Sequence, residues 1–296
     1  RVRGPRPKAR RVASVPEMQA LREASAPQTR TRWWQWAIVA VLVLALVLVP
    51  LDSSMPLDEA ERAEMAAAGV DLNDPGERAV TGGAMGLIAA IAALSVPNWT
   101  LRPLLTGWTA LIPGRSPAWF TACANARHRA TLSMTTIVPF AIAVAMTGTV
   151  YAAVGAGQAT GAQGSVNGFL TVGVPIFLIA GIGGIANIAI VGRTRRQEGA
   201  LLGVIGARTG TVLASTALEG VIYAVTGILF GLAATAFSAV YAALYSGGGM
   251  TVLVASIPVG LLALVSGISL ALAVVTTWLP AQLDRRSLMD NLRQPV

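Results

Sequence analysis

Apolar runs alternate with short charged connectors along the whole chain, and that alternation predicts its elements. Residues 33–51 hold nineteen positions without a charge, enough to cross a hydrocarbon core of about 30 Å as a helix. Residues 52–80 are acidic; 57–68 has helix-forming composition, and Asn73-Asp74-Pro75-Gly76 reads as a turn. Residues 81–97 predict a second, shorter, glycine-containing span. Residues 98–130 do not predict a span, because Arg102, Pro103, Pro113, Arg115, Pro117, Arg127 and Arg129 interrupt them. Trp99, Trp108 and Trp119 stand there among leucines, which predicts a segment lying along a membrane interface. Residues 131–155 and 166–191 predict the third and fourth spans, joined by a Gly/Ala/Gln loop at 156–165. Residues 209–245 stay apolar for thirty-seven positions, about 55 Å as a helix, against about 30 Å of hydrocarbon. This helix is expected to tilt, to protrude, or to break near Gly227 or Gly231. Residues 246–249 predict a tight turn, 250–279 a sixth span kinked at Pro258, and 280–296 a basic tail with Arg285, Arg286 and Arg293. The predicted fold is an all-α membrane protein of six spans.

Composition agrees: 54% of residues are hydrophobic and 12% charged, outside the range of an ordinary soluble domain. The net charge of +8 is sorted along the chain. Residues 1–32 carry nine Arg or Lys against Glu17 and Glu23, and read as a polybasic linker attracted to anionic lipid. Residues 52–78 carry eight acids against Arg62 and Arg78. With six spans and both ends cytoplasmic, every basic connector falls inside and the acidic loop outside. Trp33, Trp34, Trp36, Trp99, Trp108, Trp119 and Trp278 then gather at the inner interface, and Tyr151, Tyr241 and Tyr245 at the outer ends. This sorting orients a membrane protein within its bilayer, with lipids as its surroundings. It does not suggest nucleic-acid binding. The chain starts at Arg1, so sequence upstream of it is expected. The first apolar run is too long for a signal peptide.

Scarce residues exclude much chemistry. Lys8 is the only lysine, His128 the only histidine and Cys123 the only cysteine. A phosphate-loop lysine, a histidine triad, a multi-histidine metal site and an internal disulfide are therefore not expected. No catalytic, cofactor-binding or metal-binding residues are assigned, and the chain is expected not to be an enzyme.

The stretch N-I-A-I-V-G-R-T-R-R-Q-E-G-A-L-L-G-V-I-G, 187–206, joins two apolar runs. Thr194 and Gln197 have capping-box spacing, so a helix can start at Arg195, and Gly206 can end it. The result is a surface helix within 193–208, with Arg193, Arg195, Arg196, Glu198 and Arg208 supplying charge and Leu201 and Leu202 an apolar side. Glu198 and the arginines could contact a partner or simply form a solvated face. Glu219 falls inside a predicted span. It could bond to Asn187 or to a Ser or Thr of a neighbouring span, or serve a proton or substrate role. Gly181, Gly183, Gly184, Gly227 and Gly231 have small-residue spacing for close helix packing.

The central stretch R-T-R-R-Q-E-G-A-L-L-G-V-I-G-A resembles the FtsX-like ABC permease family, also called MacB-like or type VII. Glu219, Gly220, Gly227 and Gly231 match the glutamate and glycines of the family's next span. Leu279-Pro280-Ala281, Arg285-Arg286 and Leu292-Arg293 match its closing segment, and Ala124-Asn125-Ala126-Arg127-His128-Arg129 its opening one. The resemblance covers about 118–296 and implies one four-span repeat at 131–279. It implies the C-terminal half of a ten-span member, with 33–97 a two-span linker region and 98–130 a cytoplasmic interfacial segment. A second FtsX-like repeat or permease chain, and an ABC nucleotide-binding ATPase carrying ATP and Mg, are the implied partners. The 193–208 helix is the implied coupling helix. Export or extraction of a lipid, lipoprotein, peptide or drug is the implied function. A signalling or cell-wall-regulating module without transport is the first alternative, and a secondary transporter the second. The loop 156–165 is too short for the large periplasmic domain of macrolide exporters.

Overall fold

A computed structural model describes residues 33–52, 75–114, 116–128, 130–161 and 209–291. Its helices are α1 (Trp33–Asp52), α2 (Pro75–Ser95), α3 (Pro97–Leu111), α4 (Pro117–His128), α5 (Ala130–Ala159), α6 (Thr209–Ser246), α7 (Gly249–Ala255) and α8 (Val259–Asn291). All regular structure among the described residues is helical. Four stretches are long and apolar enough to cross a membrane: Pro75–Ser95, Thr136–Ala159, Gly210–Ser246 and Gly249–Thr277. Helix α1 carries a shorter apolar stretch, Trp33–Leu48, within its 20 residues. The chain is therefore an all-α, multi-pass membrane protein. The predicted span at 166–191 lies outside the described residues.

Helix α6 is the axis of the assembly and packs on α2, α3, α4, α5, α7 and α8. It runs unbroken for 38 residues, so the expected break at Gly227 or Gly231 does not occur. The reason is steric. A Cβ at Gly227 would stand 2.8 Å from the Phe140 Cβ, and one at Gly231 would stand 2.5 Å from the Val144 Cβ. These glycines let α5 lie close along an intact helix rather than weakening it.

The pairings give a register. On α5, Phe140, Val144 and Gly148 meet Gly227, Gly231 and Thr235 of α6 in order, so these two helices run parallel. On α2, Gly82 and Gly86 meet Ala242 and Ser238, so α2 runs antiparallel to α6. Ser238 Oγ donates to the Gly83 carbonyl at 2.5 Å. Helix α8 is antiparallel as well: Leu262 and Val265 cluster with Val144, while Ala273 and Thr277 lie against Gly220.

Three boundaries differ from the sequence reading. Pro75 and Gly76 belong to α2 rather than to a turn. Proline lacks the N–H that a first helical residue leaves unbonded and has the required φ. Glu77 in the first turn complements the helix dipole. At the other end, Pro258 separates two helices, α7 and α8, instead of kinking one. Proline disfavours helical backbone at Ile257 and supplies no donor, and Ser256 closes α7 through its N–H to the Val252 carbonyl. Finally, 98–130 forms two helices of 15 and 12 residues. The turn at 246–249 is present, with Gly247 at φ 68 and Gly249 at φ 58, values that suit residues without a Cβ.

Candidate coupling site at the foot of the bundle

Aromatic residues mark two ends. Trp36 of α1 meets Trp99 of α3 edge-on at 5.7 Å, and Trp108 of α3 meets Trp119 of α4 edge-on at 6.3 Å. Toward the opposite end Phe237, Tyr241 and Tyr245 stack in turn along α6, with Phe237 the deepest and Tyr245 next to the helix end, and Tyr241 donates through its hydroxyl to the Leu46 carbonyl of α1 at 3.2 Å. Helix α6 begins at the tryptophan end, so the 193–208 stretch joins it there.

The first half of α6 is sheathed by α3 and α4. Ser116 caps α4: its Oγ accepts from the Trp119 N–H at 3.1 Å, and Pro117 follows it. Ala118, Ala122 and Ala126 recur at every fourth position and are buried, so a narrow stripe lets α4 approach closely. Leu101 and Leu105 of α3, Ala122, Cys123 and Ala126 of α4, Met134 and Ile137 of α5, and Ile222 and Tyr223 of α6 form one buried cluster. Complete burial of each large aliphatic side chain there is worth about 1.5–3 kcal/mol in transfer energy. The α3–α4 pair is part of the main core.

Polar contacts fix the register. Asn125 Nδ2 donates to Glu219 Oε1 at 2.8 Å, tying α4 to α6. Trp108 Nε1 donates to Thr226 Oγ1 at 2.9 Å, tying α3 to α6, and that hydroxyl donates to the Ile222 carbonyl at 2.7 Å. Arg127 donates from Nε and a terminal nitrogen to Thr109 Oγ1 at 3.1 and 2.9 Å, tying α4 to α3. Thr109 passes its own proton to the Leu105 carbonyl at 2.6 Å. Each buried hydroxyl is thus both donor and acceptor, which avoids the penalty of an unpaired buried group. Burial pushes the Cys123 thiol above its ordinary range, with the positive charge of Arg127 opposing the shift.

Of the predicted site residues, Glu219, Gly227 and Gly231 are described and share α6. Glu219 is 6% exposed and holds an amide on α4; the predicted partner Asn187 lies outside the described residues. So do Gly181, Gly184, Arg193, Arg195, Arg196, Glu198, Leu201, Leu202 and Arg208. The sequence marks Asn125 only as part of the basic segment 124–129; the alanine spacing around it is the signal of a tightly packed helix. No group of three or more potential metal ligands occurs among the described residues.

Residues 170–286 match the family model described as FtsX-like permease C-terminal. The match begins before the central basic stretch, takes in all of α6 and α7 and most of α8, and includes the Glu219 and glycine positions. No curated protein and no solved structure matches the chain.

Proposed function

We propose, taking as premise that this chain belongs to the FtsX-like permease family, that it is the membrane subunit through which a partner ATPase does mechanical work. An ABC transporter permease subunit is the general role the family carries. The finer reading has ATP and Mg bound by the partner, whose movement reaches this chain through the 193–208 helix. In sequence that stretch immediately precedes α6, the helix on which the described bundle is built. Displacing Thr209 along the axis would carry Glu219, Thr226, Gly227 and Gly231 together, because an unbroken helix transmits force without a joint. Cargo would be a lipid, lipoprotein, peptide or drug, exported or extracted from the outer leaflet.

The family match carries this reading. Sidedness is supported by charge and by direction: α5 ends at the tyrosine end while α6 starts at the tryptophan end. The expected fourth span at 166–191 fits that pair of ends. The acidic 52–80 stretch leaves α1 and enters α2 at the tyrosine end, which is then extracytoplasmic, with both ends of this chain cytoplasmic in a bacterial inner membrane.

Purification of the full chain from its native membrane tests the role. A co-purifying soluble protein with a nucleotide-binding Walker motif is expected, and replacement of Arg195, Arg196 and Glu198 by alanine is expected to release it while the bundle stays folded. An isolated chain whose activity depends on an ion gradient, with no ATPase attached, would favour secondary transport and overturn the reading.

A further inference from the structure

We infer that α3 lies flat in the inner-leaflet lipid boundary, so that Glu219 and the first four turns of α6 stand below the hydrocarbon, on the water side. The helix register carries the argument. Gly86 of α2 meets Ser238. Counting the nine residues from Gly86 to Ser95 down an antiparallel partner brings the end of α2 to about the height of Leu229. Helix α3 starts there: Thr100 Oγ1 donates back to the Ala93 carbonyl of α2 at 2.8 Å. Eight residues further on, Trp108 reaches Thr226. Over a length of about 16 Å, from Pro97 to Trp108, the height along α6 therefore changes by only about 5 Å. Helix α3 crosses the bundle axis almost at a right angle.

From that plane to Ser246 is twenty residues of α6, about 30 Å, the thickness of a hydrocarbon core. The same plane is reached by the start of α1, where Trp36 meets Trp99. Its outward face has interfacial chemistry: Trp99 is 65% exposed and Leu111 81%, with Arg102 exposed one turn from Trp99. Phe120, 73% exposed, stands where α4 leaves the plane. Indole, apolar side chains and a cation on one in-plane helix fit a lipid surface with anionic headgroups.

Helix α4 then turns away from the membrane. Trp119 is beside Trp108, yet Asn125 meets Glu219, seven residues before Thr226 and about 10 Å lower. The length of α6 that a bilayer cannot hold is housed here, wrapped by α4 and the start of α5. Glu219 is then a carboxylate in a protein stub outside the bilayer, without the cost of a charge in hydrocarbon.

Depth measurement on the full chain tests this independently of any ATPase, and loss of the coupling reading would leave the depths unchanged. In a Cys123→Ala background, nitroxides would be attached singly at Ala214→Cys, Leu111→Cys and Phe237→Cys, with Val240→Cys a second mid-membrane site should the third misfold. The protein would be placed in phosphatidylethanolamine–phosphatidylglycerol vesicles. Collision with oxygen against a water-soluble nickel complex reads depth. Expected is a deep signal at position 237, a boundary value at 111, and full nickel access at 214. A position 214 as oxygen-rich and nickel-poor as 237, or a position 111 as nickel-accessible as 214, overturns the inference.

Discussion

Asn125 and Glu219 lie ninety-four positions apart in the chain, yet the Asn125 amide donates to the Glu219 carboxylate at 2.8 Å. That bond joins the second of two short helices to the long helix that carries the bundle. Glu219 is almost fully buried, whereas Asn125 remains exposed, so the energetic stake is unequal. Glu219→Leu removes the acceptor and is expected to lower stability by about 1.5–3 kcal/mol, the range for a hydrogen bond to a charged group. Glu219→Gln retains an acceptor and should cost less than half of that. Thermal unfolding of the purified chain in one detergent compares them; equal losses would show that the carboxylate's charge, and not merely an acceptor at that place, matters.

Packing at the α5–α6 seam gives a sharper test. Gly231→Leu pushes a side chain against Val144 and is expected to destabilise by about 1–3 kcal/mol through overpacking, with lower yield of folded protein. Gly267 of α8 has open space around the position of an added Cβ. Gly267→Ala should therefore leave the unfolding temperature unchanged or slightly raise it.

The Trp108–Thr226 bond lends itself to a double-mutant cycle. Trp108→Phe and Thr226→Val should each lower stability, by about 1 kcal/mol from the hydrogen bond beyond any packing change. Together they should cost less than their sum, because either change alone removes the shared bond. Strict additivity in urea unfolding would mean that the contact contributes nothing.

Cys123 predicts a pH dependence. Its thiol is buried and held above the ordinary value of 9.0, so the reactive thiolate is scarce near neutral pH. Maleimide labelling of the folded chain should be slow there and should keep rising with pH beyond 9.0, whereas the unfolded chain should level off nearer that value. The linkage sign follows: a raised folded pKa means that the thiol's contribution to stability is intact below the unfolded pKa and declines as pH rises through the folded one. Cys123→Ser should remove the alkaline loss.

The long apolar runs are legible in the sequence alone. Residues 33–51, 131–155 and 209–245 carry runs long enough to require burial in something apolar, and the family resemblance rested on residues that the FtsX-like model covers in large part. The start of α2 lies earlier than the charge pattern suggests: Glu77 and Arg78 read as connector, yet the carboxylate of Glu77 suits the first turn of a helix. Pro258 separates two helices where the sequence suggests one kinked span, because a proline alone does not say whether a helix continues through it.

What the chain determined by itself is therefore its solvent, its helices and the sorting of charge and aromatic residues between two ends. These follow from transfer free energies and from the length of each apolar run, which are local properties of the residues. The tertiary structure decided which glycines meet which neighbours, that α6 stays whole, and that Glu219 binds an amide on α4. Such choices depend on side chains far apart in sequence fitting one close-packed space, and no local pattern encodes that fit.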